Sequence, residues 1–145
     1  MRSATAQSRT DPDELRSHQL EKLRSGLPGV LKSNPFWQAR LHDVRGWDDF
    51  ERLPRTTKSE LIADQAARPP YGTNLTHPLD LYVRLHQTSG SSGDQPLRWL
   101  DTAESWDWWV RIWAEHVYPA AGVGAGDRVF FAFSFGPFVG FWSAF

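Results

Sequence analysis

Cysteine is absent from this chain of 145 residues. That excludes disulfides and thiolate metal sites, and it is compatible with a reducing compartment. Histidine is sparse: His18, His42, His77, His86 and His116 are scattered and do not form a metal-ligand spacing, so no metal site is expected. An excess of charge of either sign is also lacking. Sixteen basic residues face seventeen acidic ones, for a formal net charge of −1, and no Lys/Arg block stands out. Nothing therefore points to a nucleic-acid partner. The first ten residues are polar and lack the apolar core of a signal peptide or anchor, so a disordered tail is expected there. Only one long apolar run occurs, over 129–145. It is slightly short for a membrane span and is broken by Gly136-Pro137. A buried strand, a tight turn and the start of a buried helix fit it better than a bilayer.

What the chain has in quantity is aromatic surface, with eight Trp and nine Phe. Aromatics carry a large burial payload. Either the core is rich in them or a surface awaits a partner. The length suits one ordinary domain with a real core.

Asp11-Pro12-Asp13-Glu14 reads as a helix start: Asp11 suits the N-cap, Pro12 the first helical position, and Glu14 the reach back of a capping box. Leu15, Leu20, Leu23 and Leu27 follow as a loose stripe, which Gly26 and Pro28-Gly29 are expected to end. Asn34-Pro35 opens a second short helix, and Gly46 breaks the pattern. In LPRTTKSEL, residues 53–61, Thr57 and Glu60 make a second capping box, predicting a helix to about Ala67. Residues 81–85 and 96–100 read as short strands around a loop. Asp101 or Thr102 then caps a long helix with an apolar face of Trp106, Trp109, Val110, Trp113, Ala114 and Val117. Pro119 and Gly122 end it, and residues 128–133 have strong strand character. Helices followed by strand, loop, strand, helix and strand give an α/β class. No internal repeat is found.

The loop 86–96 reads HQTSGSSGDQP. Gly90 and Gly93 allow the backbone to approach a ligand closely, successive N–H groups can converge on an anion, and the hydroxyls of Thr88, Ser89, Ser91 and Ser92 add donors. This fits a phosphate cradle, although Ser/Gly composition also suits a plain solvated turn. The Walker pattern fails because Asp94 follows Gly93. Gly122, Gly124 and Gly126 precede a strand instead of following one, so they are no dinucleotide fingerprint.

The loop resembles the phosphate-binding loop of adenylate-forming enzymes, a run of Ser/Thr and Gly followed closely by Pro. More narrowly, residues 84–93 resemble the Arg-Ile-His-x-Ser-Ser-Gly-Thr-Thr-Gly segment of phenylacetate–CoA ligases. Residues 53–61 are similar to that family's Leu-Pro-x-Thr-Thr-Lys-x-x-Leu stretch, 121–129 to its Ala-Gly-…-Gly-Asp-Arg-Val turn, and 135–140 to its Tyr-Gly-x-Phe-x-Gly segment. Phe135 stands in place of the Tyr, and Asp94 and Gln95 separate Gly93 from Pro96 where the family usually has one residue.

The resemblance implies the N-terminal part of an ATP-dependent carboxylate–CoA ligase. Such an enzyme forms an acyl-adenylate, releases pyrophosphate, and passes an aryl-acetate-like acid to coenzyme A. By the same resemblance Thr88, Ser89, Gly90, Ser91, Ser92 and Gly93 hold the ATP phosphates with Mg²⁺ in support. Phe135, Phe138 and Gly140 are candidates for the acyl pocket, with core packing as the equal alternative for them. The expected organisation is a tail over 1–10, a helical segment over 11–52, and the start of an adenylation domain over 53–145. The family's adenine and ribose contacts and its catalytic Lys have no counterpart here, so no catalytic residue is assigned, the chain alone is expected to be inactive, and a fragment or truncated gene product is expected. Expressed alone, it should expose apolar surface and aggregate. A cytoplasmic location follows from the resemblance, which leaves room for a homodimer. The alternative is a non-catalytic nucleotide-binding or partner-docking module built on this fold.

Overall fold

The computed structural model describes residues 11–88 and 95–145. The tail 1–10 and the loop residues Ser89, Gly90, Ser91, Ser92, Gly93 and Asp94 lie outside the described residues. The chain divides into two compact units, one reaching Arg55 and the other running from Thr56 to Phe145.

The first unit holds α1 (Pro12–Ser33), α2 (Pro35–Gln38) and α3 (Trp47–Glu51). Asp11 caps α1 by accepting from the Asp13 N–H at 2.9 Å, with Pro12 in the first turn. Contrary to the sequence expectation, α1 does not stop at Gly26 or Pro28-Gly29 but runs through them. Pro28 removes one helical hydrogen bond, that to the Arg24 carbonyl. Both residues are exposed, so water can satisfy the freed acceptor. Buried Leu27 anchors this stretch, with Phe36 and Val44 also buried in the unit. Asn34 joins α1 to α2: its N–H donates to the Val30 carbonyl at 2.9 Å, while its side chain accepts from the Trp37 N–H at 3.2 Å. Gly46, read as a break, is the N-cap of α3.

The second unit begins with α4 (Lys58–Ala67). Its capping box forms as the sequence indicates: the Thr57 N–H donates to Glu60 Oε2 at 2.7 Å, and the Glu60 N–H donates to Thr57 Oγ1 at 3.3 Å. After α4 the chain turns at Gly72, whose φ of +75° suits glycine. Asp64 holds this turn, accepting from the Thr73 N–H at 2.7 Å and the Thr73 hydroxyl at 2.6 Å. Then β1 (Tyr82–Gln87) and β2 (Arg98–Thr102) pair antiparallel, with Leu85 opposite Leu100, His86 opposite Trp99 and Gln87 opposite Arg98. Thr102 caps α5 (Ala103–Ile112), accepting from the Ser105 N–H at 3.2 Å.

The helix continues as a widened π turn over Trp113–Val117 into α6 (Tyr118–Ala120). Pro119 cannot donate to the Glu115 carbonyl and crowds it, which accounts for the widening. The end is a Schellman motif around Gly122 at φ +76°: the Val123 N–H reaches the Tyr118 carbonyl at 2.9 Å, and the Gly122 N–H reaches that of Pro119 at 3.0 Å. On α5 and the first residue of the π turn, Trp106, Trp109, Ile112 and Trp113 are half-buried while Trp108 and Val110 are exposed, so the buried stripe is narrower than the apolar pattern.

Residues 128–133, expected to form a strand, adopt no regular secondary structure and make no ladder. Strand propensity does not supply a partner, and β1–β2 is the one ladder among the described residues. Phe130 is 89% exposed there. The alternate residues Phe131, Phe133 and Phe135 instead meet other aromatics: Phe133 stacks on Phe141 at 4.5 Å, and Phe135 lies 4.9 Å from Trp142 of α7 (Val139–Trp142). No helix among the described residues is long and apolar enough to cross a membrane.

Candidate functional site

The two strands carry the Ser/Gly loop between them, and the described residues at its base are tied on every side. Thr88 ends the first limb. Its N–H donates to the Leu97 carbonyl at 2.9 Å, and its hydroxyl oxygen accepts from the Leu97 N–H at 3.0 Å. The hydroxyl takes the part a carbonyl would play in a ladder, and buried Leu97 fixes the return limb. Next to it, the Gln87 N–H donates to the Pro137 carbonyl at 2.6 Å. On the far edge, the Gln65 side chain of α4 pairs with the Arg98 backbone, and Arg98 Nη1 reaches the Pro70 carbonyl at 2.9 Å. A cavity of about 210 Å³ opens there, lined by Ile62, Ala66, Pro69, Gln95 and Pro96 among others.

Two residues before Thr88 on β1 lies His86, 3% exposed. Its ring stacks on Trp106, with centroids 5.3 Å apart and planes at 25°. Neither ring nitrogen has a hydrogen-bond partner. Nε2 lies 3.7 Å from Asp101 Oδ2, outside hydrogen-bond reach. Asp101 is itself buried and accepts from the Ser105 hydroxyl at 3.1 Å on Oδ1. Arg84 places its guanidinium 5.0 Å over the Trp106 ring and 5.9 Å from that of Trp142. Burial pushes the His86 imidazole below its ordinary pKa; the Asp101 charge opposes that shift, and the Arg84 charge adds to it. The imidazole is therefore held neutral near neutral pH.

Of the residues singled out from the sequence, Thr88 stands at the loop's mouth, and Ser89, Gly90, Ser91, Ser92 and Gly93 lie outside the described residues. Phe135 and Phe138 are brought into one aromatic group, Phe135 against Trp142 and Phe138 edge-on to Phe141 at 5.7 Å. Gly140 sits on α7, where a Cβ would meet nothing within 4 Å. The Gln87–Pro137 bond places the loop's base beside this group. Asp101, Trp106 and Gln65 were not singled out for this site. The alternation Arg84, His86, Thr88 against Leu97, Trp99, Asp101 is the signal that puts Asp101 on the face of His86, because residues opposite in a ladder share a face. Among the described residues no group of three His, Asp or Glu could hold a metal ion.

No protein-family model matches the chain. Its fold superposes on 2-hydroxyisobutyryl-CoA ligase in the postadenylation state, in complex with 2-HIB-AMP. The TM-score is 0.83 at 24% identity, covering 93% of this chain and 29% of that one. The same ligase with 2-HIB-AMP and CoA in the thioesterification state matches at 25% identity and a TM-score of 0.83, covering 93% of this chain and 30% of that one. The class is thus set: this is the N-terminal part of the adenylate-forming ligase fold, mixed helix and sheet, and incomplete.

Sequence gives the nearer kinship. The phenylacetate-coenzyme A ligase of Pseudomonas putida is 31% identical over 135 residues, 88% of this chain, and that of Aromatoleum evansii is 28% identical over the same span. The chain is a homologue of the phenylacetate–CoA ligases, and it spans 29% of the length of these two relatives.

Proposed function

We propose that this chain supplies the phosphate-binding part of an ATP-dependent carboxylate–CoA ligase acting on an aryl-acetate-like acid. In the whole enzyme the carboxylate attacks the α-phosphate of ATP, pyrophosphate leaves, and the thiol of coenzyme A then displaces AMP. Thr88, Ser89, Gly90, Ser91, Ser92 and Gly93 hold the β- and γ-phosphates and stabilise charge on the departing pyrophosphate. Preorganised donors do this without reorganising during the step. The observation that carries the reading is the reciprocal Thr88–Leu97 pair, which fixes both limbs of the loop at the end of a two-stranded ladder.

Mg²⁺ would be carried on the ATP phosphates, where it would neutralise their charge. Phe135, Phe138 and Gly140 form one wall of the acyl site, a reading supported by the bond from the Gln87 N–H to the Pro137 carbonyl in the same segment. A cytoplasmic location goes with this chemistry.

The test is calorimetric titration of the chain with inorganic pyrophosphate and with Mg·ATP, beside a Ser91→Ala/Ser92→Ala double variant. Binding by the chain, weakened about tenfold in the variant by loss of two hydrogen-bonding hydroxyls, is the expected result. Equal affinity in both proteins defeats the assignment. A partner-docking role is the second reading, favoured by the 89% exposure of Phe130; stable co-purification with a partner and no nucleotide binding would identify it.

A further inference from the structure

We propose that Arg84 binds the carboxylate of an aryl acid whose ring lies against Phe135 and Trp142. The inference deepens the ligase reading above and rests on it for the acid's place in the reaction.

Arg84 stands on β1 and is exposed. Its guanidinium lies 5.0 Å over the Trp106 ring of α5 and 5.9 Å from that of Trp142 on α7. Contact with aromatic rings fixes a guanidinium and strips part of its water, yet leaves its N–H donors for an oxygen. Among the described residues Arg84 makes no ion pair and no side-chain hydrogen bond. The acid nearest to it by register is Asp101, opposite Arg84 in the ladder. That carboxylate is turned elsewhere: Oδ1 accepts from the Ser105 hydroxyl at 3.1 Å, and Oδ2 lies 3.7 Å from His86 Nε2. A cation is thus held in place with its donors unengaged.

Trp142 joins this cation to an aromatic wall. Phe135 lies 4.9 Å from the Trp142 ring and is 39% exposed. Arg84 and Phe135 both meet Trp142, so no more than about 11 Å separates the guanidinium from the Phe135 ring. A ligand that satisfies both ends carries a carboxylate and an aromatic ring a short link apart. The carboxylate takes a two-pronged hydrogen bond at about 2.8 Å, and the ring an offset or edge contact at about 4.5–7 Å between centroids. An alkyl acid loses the ring contact, and an aryl amide loses the charge. If Arg84 served only to fasten β1 to the helices through its ring contacts, the charge of the ligand would not matter.

The experiment titrates the chain with phenylacetate, with its neutral isostere phenylacetamide and with acetate, read by calorimetry. The Arg84 Nε–H signal, assigned by its absence in Arg84→Gln, is followed by NMR. Phenylacetate is expected to bind about tenfold or more tighter than phenylacetamide and to move the Arg84 signal, with acetate the weakest of the three. Arg84→Gln should abolish the preference for the charged ligand, and Arg84→Lys should keep part of it. Phe135→Ala should weaken both aryl ligands and leave their ratio unchanged. Equal affinity for phenylacetate and phenylacetamide in the unaltered chain sinks the proposal without any variant, and so does a preference that survives in Arg84→Gln. Pyrophosphate bound without phenylacetate overturns this proposal alone. Phenylacetate bound through Arg84 without pyrophosphate leaves the carboxylate site standing and overturns the phosphate-loop reading. Binding of neither overturns both.

Discussion

Gln65 and Arg98 are joined twice, side chain to main chain: Gln65 Nε2 donates to the Arg98 carbonyl at 2.7 Å, and the Arg98 N–H donates to Gln65 Oε1 at 3.0 Å. A carboxamide thus imitates a neighbouring strand and closes the outer edge of β2, where unpaired backbone would invite pairing with another chain. Gln65→Ala leaves a part-buried donor and acceptor without their partner. The expected loss is about 1–3 kcal/mol in urea unfolding. A loss below about 0.5 kcal/mol, the range of an ordinary surface substitution, would show that water closes the edge as well.

The Thr57–Glu60 box should behave as a detachable unit of stability. Thr57→Ala is expected to cost about 1 kcal/mol, and Thr57→Ser should restore most of it. Thermal melts followed at 222 nm decide this, and equal melting of the Ala and Ser variants would deny the cap any part.

Gly72 and Gly26 make an opposed pair. A Cβ on Gly72 would collide with the Asp64 carboxylate, at a φ of +75° that L residues avoid. Gly26 lies inside α1 with nothing within 4 Å of where a Cβ would stand. Gly72→Ala should therefore destabilise by more than about 1 kcal/mol, while Gly26→Ala should stabilise by about 0.5–1 kcal/mol. The same sign for both in denaturant titrations would contradict the local geometry.

Asp49 accepts from the Arg45 N–H at 3.1 Å, the Arg52 guanidinium at 2.8 Å and the Arg45 guanidinium at 3.2 Å. The Arg45 backbone donor first, then the two side chains, lower its carboxyl to about 2 from an ordinary 3.8. A depressed carboxylate contributes stability that is present above the unfolded value and is lost as pH falls through the folded one. Acid titration of helical signal should therefore show a loss between about pH 4 and 2 that is absent from Asp49→Asn. Superimposed acid profiles of the two proteins would remove Asp49 from the account.

Phe130 offers the cleanest test of the exposed apolar surface. At 89% exposure it contributes little to the fold, so Phe130→Asp should change stability by less than about 0.5 kcal/mol. It should also reduce self-association in light scattering. A large loss of stability instead would mean that Phe130 packs in solution.

The sequence was most legible where a signal was local. Thr57 with Glu60 gave the start of α4, Ala67 its end, and Thr102 the cap of α5, because each depends on residues within one turn. Pro28 misled because a proline's cost depends on whether its orphaned carbonyl meets water, which is a property of the folded surface. Residues 128–133 misled in another way: Val129 and Phe130 state a preference for extension, and a ladder requires a neighbour that composition does not supply. His86 was visible as the residue before the loop, but Asp101 was read only as a possible cap. The diagonal between them exists only once the register of β1 against β2 is known.

The Gln87–Pro137 bond closes a loop of fifty positions, 87 to 137. On a chain made from one end this becomes a matter of order. The hairpin can pair as soon as Thr102 has emerged, since β1 and β2 are near neighbours in sequence. The fastening at its base must await the turn at Pro137, and long closures are entropically the later ones. A nascent chain halted between those points would carry the Ser/Gly segment on a paired hairpin whose first limb had not yet been clasped.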